Sequence, residues 1–323
     1  MSWIPAGWRT SQFLAACDNL EVLGKRTMRR QISLLLLAGM MGALAPGASR
    51  AQSRTDLLNR GLRALEVKRF ARAQQMLTLL VKQDPSAANV GYLAVAESGA
   101  GELSQAIADF TRSINLGNDT LLVRYGLAST YLRSGEPAPA ARELRIVISQ
   151  YPAYTPARYA LGVALVRLAR PAEAIEFLVQ ARRQAPRNAQ YWLTLVHARF
   201  EAGDSAAATR TADQAMENFP DNRRLALALA QLCLRRAQIR EARSLLETAV
   251  ELQPADAGTK LLLARVSLQV GEPSEALVIL KSVPVEAGAH GEVMLLRIEA
   301  EALIGHLSSA QADLASARAD NPQ

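Results

Sequence analysis

The stretch Ala174-Ile175-Glu176-Phe177-Leu178-Val179-Gln180-Ala181, closing at Pro186, decides the fold, because it is one copy of a unit written eight times. With Ala174 in register, the same slot holds Ala140, Ala106 and Ala73 toward the N-terminus. Toward the C-terminus it holds Ala208, Ala242, Ala276 and Ala310. Every step is 34 residues except Ala73 to Ala106, which is 33. Twelve residues after the alanine stands Pro85, Pro152, Pro186, Pro220, Pro254 or Pro322, with Asn118 and Gly288 in the other two copies. A fixed period of this size marks a stacked repeat architecture.

The rest of the unit has a physical logic. Thirteen and twelve residues before the alanine sit a leucine and a small residue, as in Leu93-Ala94, Leu127-Ala128, Leu161-Gly162, Leu229-Ala230 and Leu263-Ala264. The small member lets two helix backbones approach. Five residues before the alanine comes Gly101, Gly135, Gly203, Gly271 or Gly305, a glycine that ends a helix in the left-handed conformation. Lys68, Ala169 and Ala237 fill that slot elsewhere, so those turns are expected to close another way. Each unit reads as helix, tight turn, helix, exit. Thr120, Asn188, Asn222 and Asp256 follow the exit slot by two residues as N-caps for the next helix, and Thr155-Pro156 offers the same in the repeat that has Tyr154 there. The missing residue of the second repeat falls in the loop after Pro85, and its glycine-rich first helix, from Gly91 to Gly101, is expected to be soft.

These alanines, prolines and glycines resemble the tetratricopeptide repeat family from about Arg54 to the last residue. Trp192 and Tyr131 fit the family's aromatic slots, while Leu57, Lys260 and Met294 stand where it has tryptophan. The resemblance implies an all-α, right-handed α-solenoid of about eight helix-turn-helix repeats over 52–323, ending near 85, 118, 152, 186, 220, 254, 288 and 322. The last repeat lacks the extra solvating helix that often closes such arrays. The resemblance also implies a concave groove lined by the first helices, to which the slots 15, 11, 8 and 7 residues before each alanine belong. Those slots yield the candidate groove residues Tyr125, Arg133, Tyr159, Arg167, His197, Phe200, Gln231, Arg235 and Arg265. Aromatics and arginine on such a face are what binding hot spots are made of. The competing reading has the apolar members packing between repeats and the arginines solubilising the rim. The family's chaperone-tail clamp uses a lysine and asparagines on this face, where this chain has Tyr125, Ser129, Tyr159 and Val163.

Composition agrees with packed helices. Half the residues are hydrophobic but only 5% aromatic, so alanine and leucine supply the apolar mass. The net charge of +7 falls to +3 over 52–323, so the basic character belongs partly to the leader. Residues 28–51 read as a signal peptide: Met28-Arg29-Arg30, an apolar run from Ile32 to Ala45, Pro46-Gly47, then Ser49 and Ala51 before a cut. Fourteen helical residues cover about 21 Å, short of a hydrocarbon core of about 30 Å. An uncleaved leader is the alternative and would be the chain's one contact with a membrane. Residues 1–27 read as an upstream extension, with translation starting at Met28, or as a long n-region. Cys17 precedes the cut, which leaves Cys233, read as a buried inert thiol.

Catalysis needs a converging constellation, and the sequence shows no phosphate loop, zinc-protease pair or serine elbow. His197, His290 and His306 lie in different repeats without ligand spacing. The expectations are therefore no enzyme, no cofactor or metal, no small-molecule substrate and no nucleic acid, since base-reading repeats need a recurring polar pair that is absent here. A protein or peptide partner with some negative charge suits the groove. The expected function is a periplasmic or secreted binding scaffold. Alternatives are an accessory subunit of an envelope-assembly or polysaccharide-export complex, or a substrate-recruiting partner of an enzyme.

Overall fold

The computed structural model describes residues 46–283 and 290–320, and among these it contains helices and no strand. The stretch 1–27, the leader up to Ala45, the exit at Pro284 and Gly288, and Pro322 lie outside the described residues. The helices pair into eight hairpins among the described residues, and within each of two compact units each helix packs on the next. The first four pairs are α1 (Pro46–Glu66) with α2 (Phe70–Gln83), α3 (Ala87–Ala100) with α4 (Leu103–Asn115), α5 (Leu121–Ser134) with α6 (Pro137–Gln150), and α7 (Thr155–Arg167) with α8 (Pro171–Gln184). They form one compact unit that ends at Gln184. A second unit, 185–323, holds α9 (Ala189–Glu201) with α10 (Ser205–Asn218), α11 (Arg223–Arg235) with α12 (Ile239–Leu252), α13 (Ala257–Val270) with α14 (Pro273–Lys281), and α15 (His290–Leu303) with α16 (Leu307–Asp320). The fold class is the expected one: all-α, built of stacked helix-turn-helix repeats.

The registered alanines Ala73, Ala106, Ala140, Ala174, Ala208, Ala242, Ala276 and Ala310 are all buried. Four residues later comes the side chain that fills the hairpin, including Leu77, Phe110, Leu144, Leu178, Leu246 and Leu280, each at most 3% exposed. Full burial of one such side chain is worth about 1.5–3 kcal/mol. The small residue opposite is a steric requirement. A Cβ on Gly162 would lie 2.5 Å from Leu178 Cγ, and one on Gly61 would lie 2.8 Å from Leu77. The missing residue of the second repeat falls where the spacing puts it. The α2–α3 connection has three residues (84–86), against four at 151–154, 219–222 and 253–256. The glycine-bearing α3 is nevertheless one unbroken helix with Gly91 buried.

Two expectations are corrected. The turns without glycine do not close another way: Lys68, Ala169 and Ala237 adopt φ of 55°, the left-handed state taken by the glycine turns at 82–94°. All eight turns thus share one exit, held by backbone bonds such as Arg170 N–H to Leu165 O and Gln238 N–H to Cys233 O. A side chain in that conformation costs about 1–2 kcal/mol. Stacking of the next helix enforces it regardless. The N-caps are also mixed. Asn188 and Asn222 accept from Gln190 N–H and Leu225 N–H, both at 3.1 Å. Thr120 makes no side-chain cap. Asp256 engages Arg223 and the Thr259 hydroxyl, which hold its carboxyl below the usual range, the hydroxyl most strongly. Tyr154, not Thr155, holds the cap position of α7, and the Thr155 hydroxyl donates to Gln184 Oε1 at 2.7 Å.

The irregular seventh repeat has a short second helix, nine residues in α14. Lys260, in a slot where the family has tryptophan, is buried and donates from Nζ to Ser282 O at 2.8 Å, satisfying the end of that short helix. Trp192, in the same slot of the fifth repeat, donates from Nε1 to Pro186 O at 2.8 Å. Different side chains at one position solve the same problem of a free carbonyl.

Candidate functional site

Within each unit the first helices of neighbouring hairpins meet: α1 with α3, α3 with α5, α5 with α7; and α9 with α11, α13 with α15, while α11 reaches α13 through Arg223 Nη2, which donates to Thr259 Oγ1 at 3.0 Å. In each unit they form a row, and the slots 15, 11, 8 and 7 before each alanine follow a stripe along it. The stripe divides by chemistry. Tyr159 is 5% exposed and Phe200 3%, so both rings are spent on packing. Tyr125 is half-buried, its ring set edge-on to Tyr154 with centroids 5.1 Å apart. That contact accounts for a tyrosine at a helix cap. The polar members stay accessible: Arg167, Gln231, Arg235 and Arg265 are exposed, and Arg133 and His197 are half-buried.

The arginines do more than solubilise. Arg133 Nη1 donates to Ser98 O at 2.6 Å and to Ser98 Oγ at 2.9 Å, and Arg167 Nη1 donates to Leu132 O. Each guanidinium therefore caps the last turn of the preceding first helix, where the helix dipole is negative. Position 201, one period on, is Glu201, which pairs with Arg236 instead. His197 Nε2 lies 3.1 Å from the same carboxylate. Burial pushes the His197 pKa down, Arg235 and Arg236 push the same way, and Glu201 opposes them. The imidazole is thereby held neutral at pH 7. Arg265 pairs with Glu292 on α15.

Another buried titratable group escaped the sequence. Glu97 on α3 is 5% exposed, with Oε2 lacking a hydrogen-bond partner among the described residues. Burial, then Asp109 and Glu102, raise its pKa to about 7. Its slot, nine before the alanine, holds Leu165, Cys233 and Ser267 in other repeats, so no periodic signal marked it. Burial likewise pushes the Cys233 thiol up to about 12, which leaves it protonated and unreactive. Among the described residues no group of three or more His, Cys, Asp or Glu side chains could hold a metal ion, and no helix is long and apolar enough to cross a membrane.

Comparison with known proteins agrees with this geometry. The family model described as tetratricopeptide repeat matches residues 131–196, 199–257 and 236–297. No curated protein sequence matches the chain. Among solved structures, a tetratricopeptide repeat protein from Parabacteroides merdae is 16% identical with a TM-score of 0.57, covering 77% of this chain and 99% of its own. MamA from Desulfovibrio magneticus is 19% identical with a TM-score of 0.50, over 53% of this chain and 97% of its own. The Cut9–Hcn1 hetero-tetramer of the APC/C is 20% identical with a TM-score of 0.50, over 66% of this chain and 42% of its own. At these identities the likeness shows the fold alone.

Proposed function

Because the chain belongs to the tetratricopeptide repeat family, we propose that it is a non-catalytic scaffold holding a protein or peptide segment along the first helices of a unit. One observation carries this reading. In the first unit Tyr159 is sealed into the packing and Arg167 is exposed; in the second Phe200 is sealed and Gln231, Arg235 and Arg265 are exposed. Such a surface recognises by charge and hydrogen bonding, and it suits an acidic extended or helical segment. The leader at 28–51 supports export, with the scaffold working in the periplasm or outside the cell, as an accessory subunit of an envelope complex or a recruiter for an enzyme.

The test is a titration of a partner isolated from the envelope fraction. Reversing Arg235→Glu and Arg265→Glu together is expected to weaken binding at least tenfold, about 1.4 kcal/mol, and to flatten its salt dependence. Unchanged affinity in a folded variant overturns the groove. N-terminal sequencing of the exported protein is expected to begin at Gln52; a start at Met28 or Met1 refutes the leader.

A further inference from the structure

In hairpin 7, Leu261, Leu268 and Leu280 are 6%, 8% and 3% exposed, buried in one cluster with Val293, Leu296 and Ala300 of α15. Hairpin 8 lids hairpin 7 in this way. One period on, the same three slots of hairpin 8 are Leu295 at 65%, Ala302 exposed, and Leu314 at 39%. Leu303 and Leu307 beside them are 60% and 62% exposed. The last hairpin thus continues the stacking interface with an apolar face that nothing covers among the described residues.

The slots that do the lidding show what fits there. In hairpin 1 the counterparts of Val293, Leu296 and Ala300 are Asp56, Asn59 and Arg63, and Asp56 is tied to Arg60 at 2.9 Å. Stacking hairpin 1 of another copy on hairpin 8 would bury these polar groups against leucines, at a desolvation cost that apolar contact does not offset. Among the described residues, the end face that offers leucines in return is hairpin 8 itself. We propose that two copies of the chain associate through α15 and α16 about a two-fold axis, each hairpin 8 lidding the other. Arg297 and Asp313, paired within the hairpin, bring no unbalanced charge to the contact. Glu299 sits in the slot left open at Gln231 and Arg265, so it stays at the rim in water.

Two 14-residue helices give a face about 21 Å long and about 20 Å wide, roughly 400 Å² per copy, which is below stable specific interfaces and in the range of weak, transient ones. The dimer is therefore concentration-dependent. Sedimentation of the purified protein from about 1 to 100 µM is expected to show the average mass rising from monomer toward twice that value. Leu295→Lys with Leu314→Lys is expected to stay monomeric with unchanged helical circular dichroism. Leu307→Lys, a single change at a site 62% exposed, is a second variant should the first misfold. Arg63→Glu is expected to leave the dimer intact. A monomer at every concentration overturns the proposal, whether the face is bare or serves a different protein. So does a dimer that survives the lysines, or growth beyond a dimer.

Discussion

Hairpins 2 and 6 have one backbone plan and opposite interiors. Where hairpin 6 places Leu225, Cys233 and Ala249, hairpin 2 places Asn89, Glu97 and Ser113, and all six are buried. The exit slot is Pro254 in one and Asn118 in the other. In hairpin 2 most of the polar groups are satisfied locally. Ser113 Oγ donates to Ala87 O at 2.7 Å, Asn118 Nδ2 donates to the same carbonyl at 3.2 Å and to Ser113 Oγ at 3.0 Å, and Asn89 Nδ2 donates to Asp84 O at 3.0 Å. Gly91 makes room for them: a Cβ there would lie 2.9 Å from both Ser113 Oγ and Asn118 Nδ2. The period therefore dictates where a side chain goes and leaves open how it is satisfied. Glu97 is the group that hairpin 2 does not fully accommodate.

The largest expected effect tests the apolar side. Leu229→Ala empties a fully buried slot in hairpin 6 and is expected to cost about 2–5 kcal/mol by denaturant unfolding. A loss well under 1 kcal/mol would mean that hairpin 6 is no tighter than hairpin 2. Next comes Glu97. Its folded-state pKa of about 7 lies above the ordinary 4.5, so the folded protein holds a proton that the unfolded chain releases between those values. Stability contributed at this site is thus full below about pH 4.5, falls as pH rises to about 7, and levels off above. Glu97→Gln is expected to stabilise by up to ~3 kcal/mol at pH 8 and by nothing at pH 4. A gain independent of pH would break the electrostatic account. The smallest effect compares the turns. Ala237→Gly in hairpin 6 relieves a left-handed alanine and is expected to raise stability by ~1 kcal/mol, while Gly101→Ala in hairpin 2 lowers it by a similar amount. Equal signs for the two would show that the turns are not equivalent.

The frame was legible because it is written in residues whose roles depend on shape: buried alanines, the glycines opposite leucines, and the three-residue loop around Pro85. What escaped depends on backbone acceptors and on forced conformations. The row of arginines was visible as a row, but Ser98 O and Leu132 O carry no side-chain signature to show what Arg133 and Arg167 hold. Lys68, Ala169 and Ala237 gave the wrong expectation because local preference yields when both neighbouring helices are fixed by packing. Tyr159 and Phe200 lie on the groove stripe by helical angle, yet burial takes them out of reach of a ligand. Asp256 is a good cap by type, but the Thr259 hydroxyl and Arg223 share its carboxylate.

The capping arginines also bear on how the first unit yields to force. Arg133 ties hairpin 3 to the carboxyl end of α3, and Arg167 ties hairpin 4 to that of α5. Each clasp crosses a seam between repeats at the point where a helix would begin to unravel. Stretched from its ends, such a string would resist peeling one repeat at a time until a clasp opened, and would then surrender the helix on either side of it together.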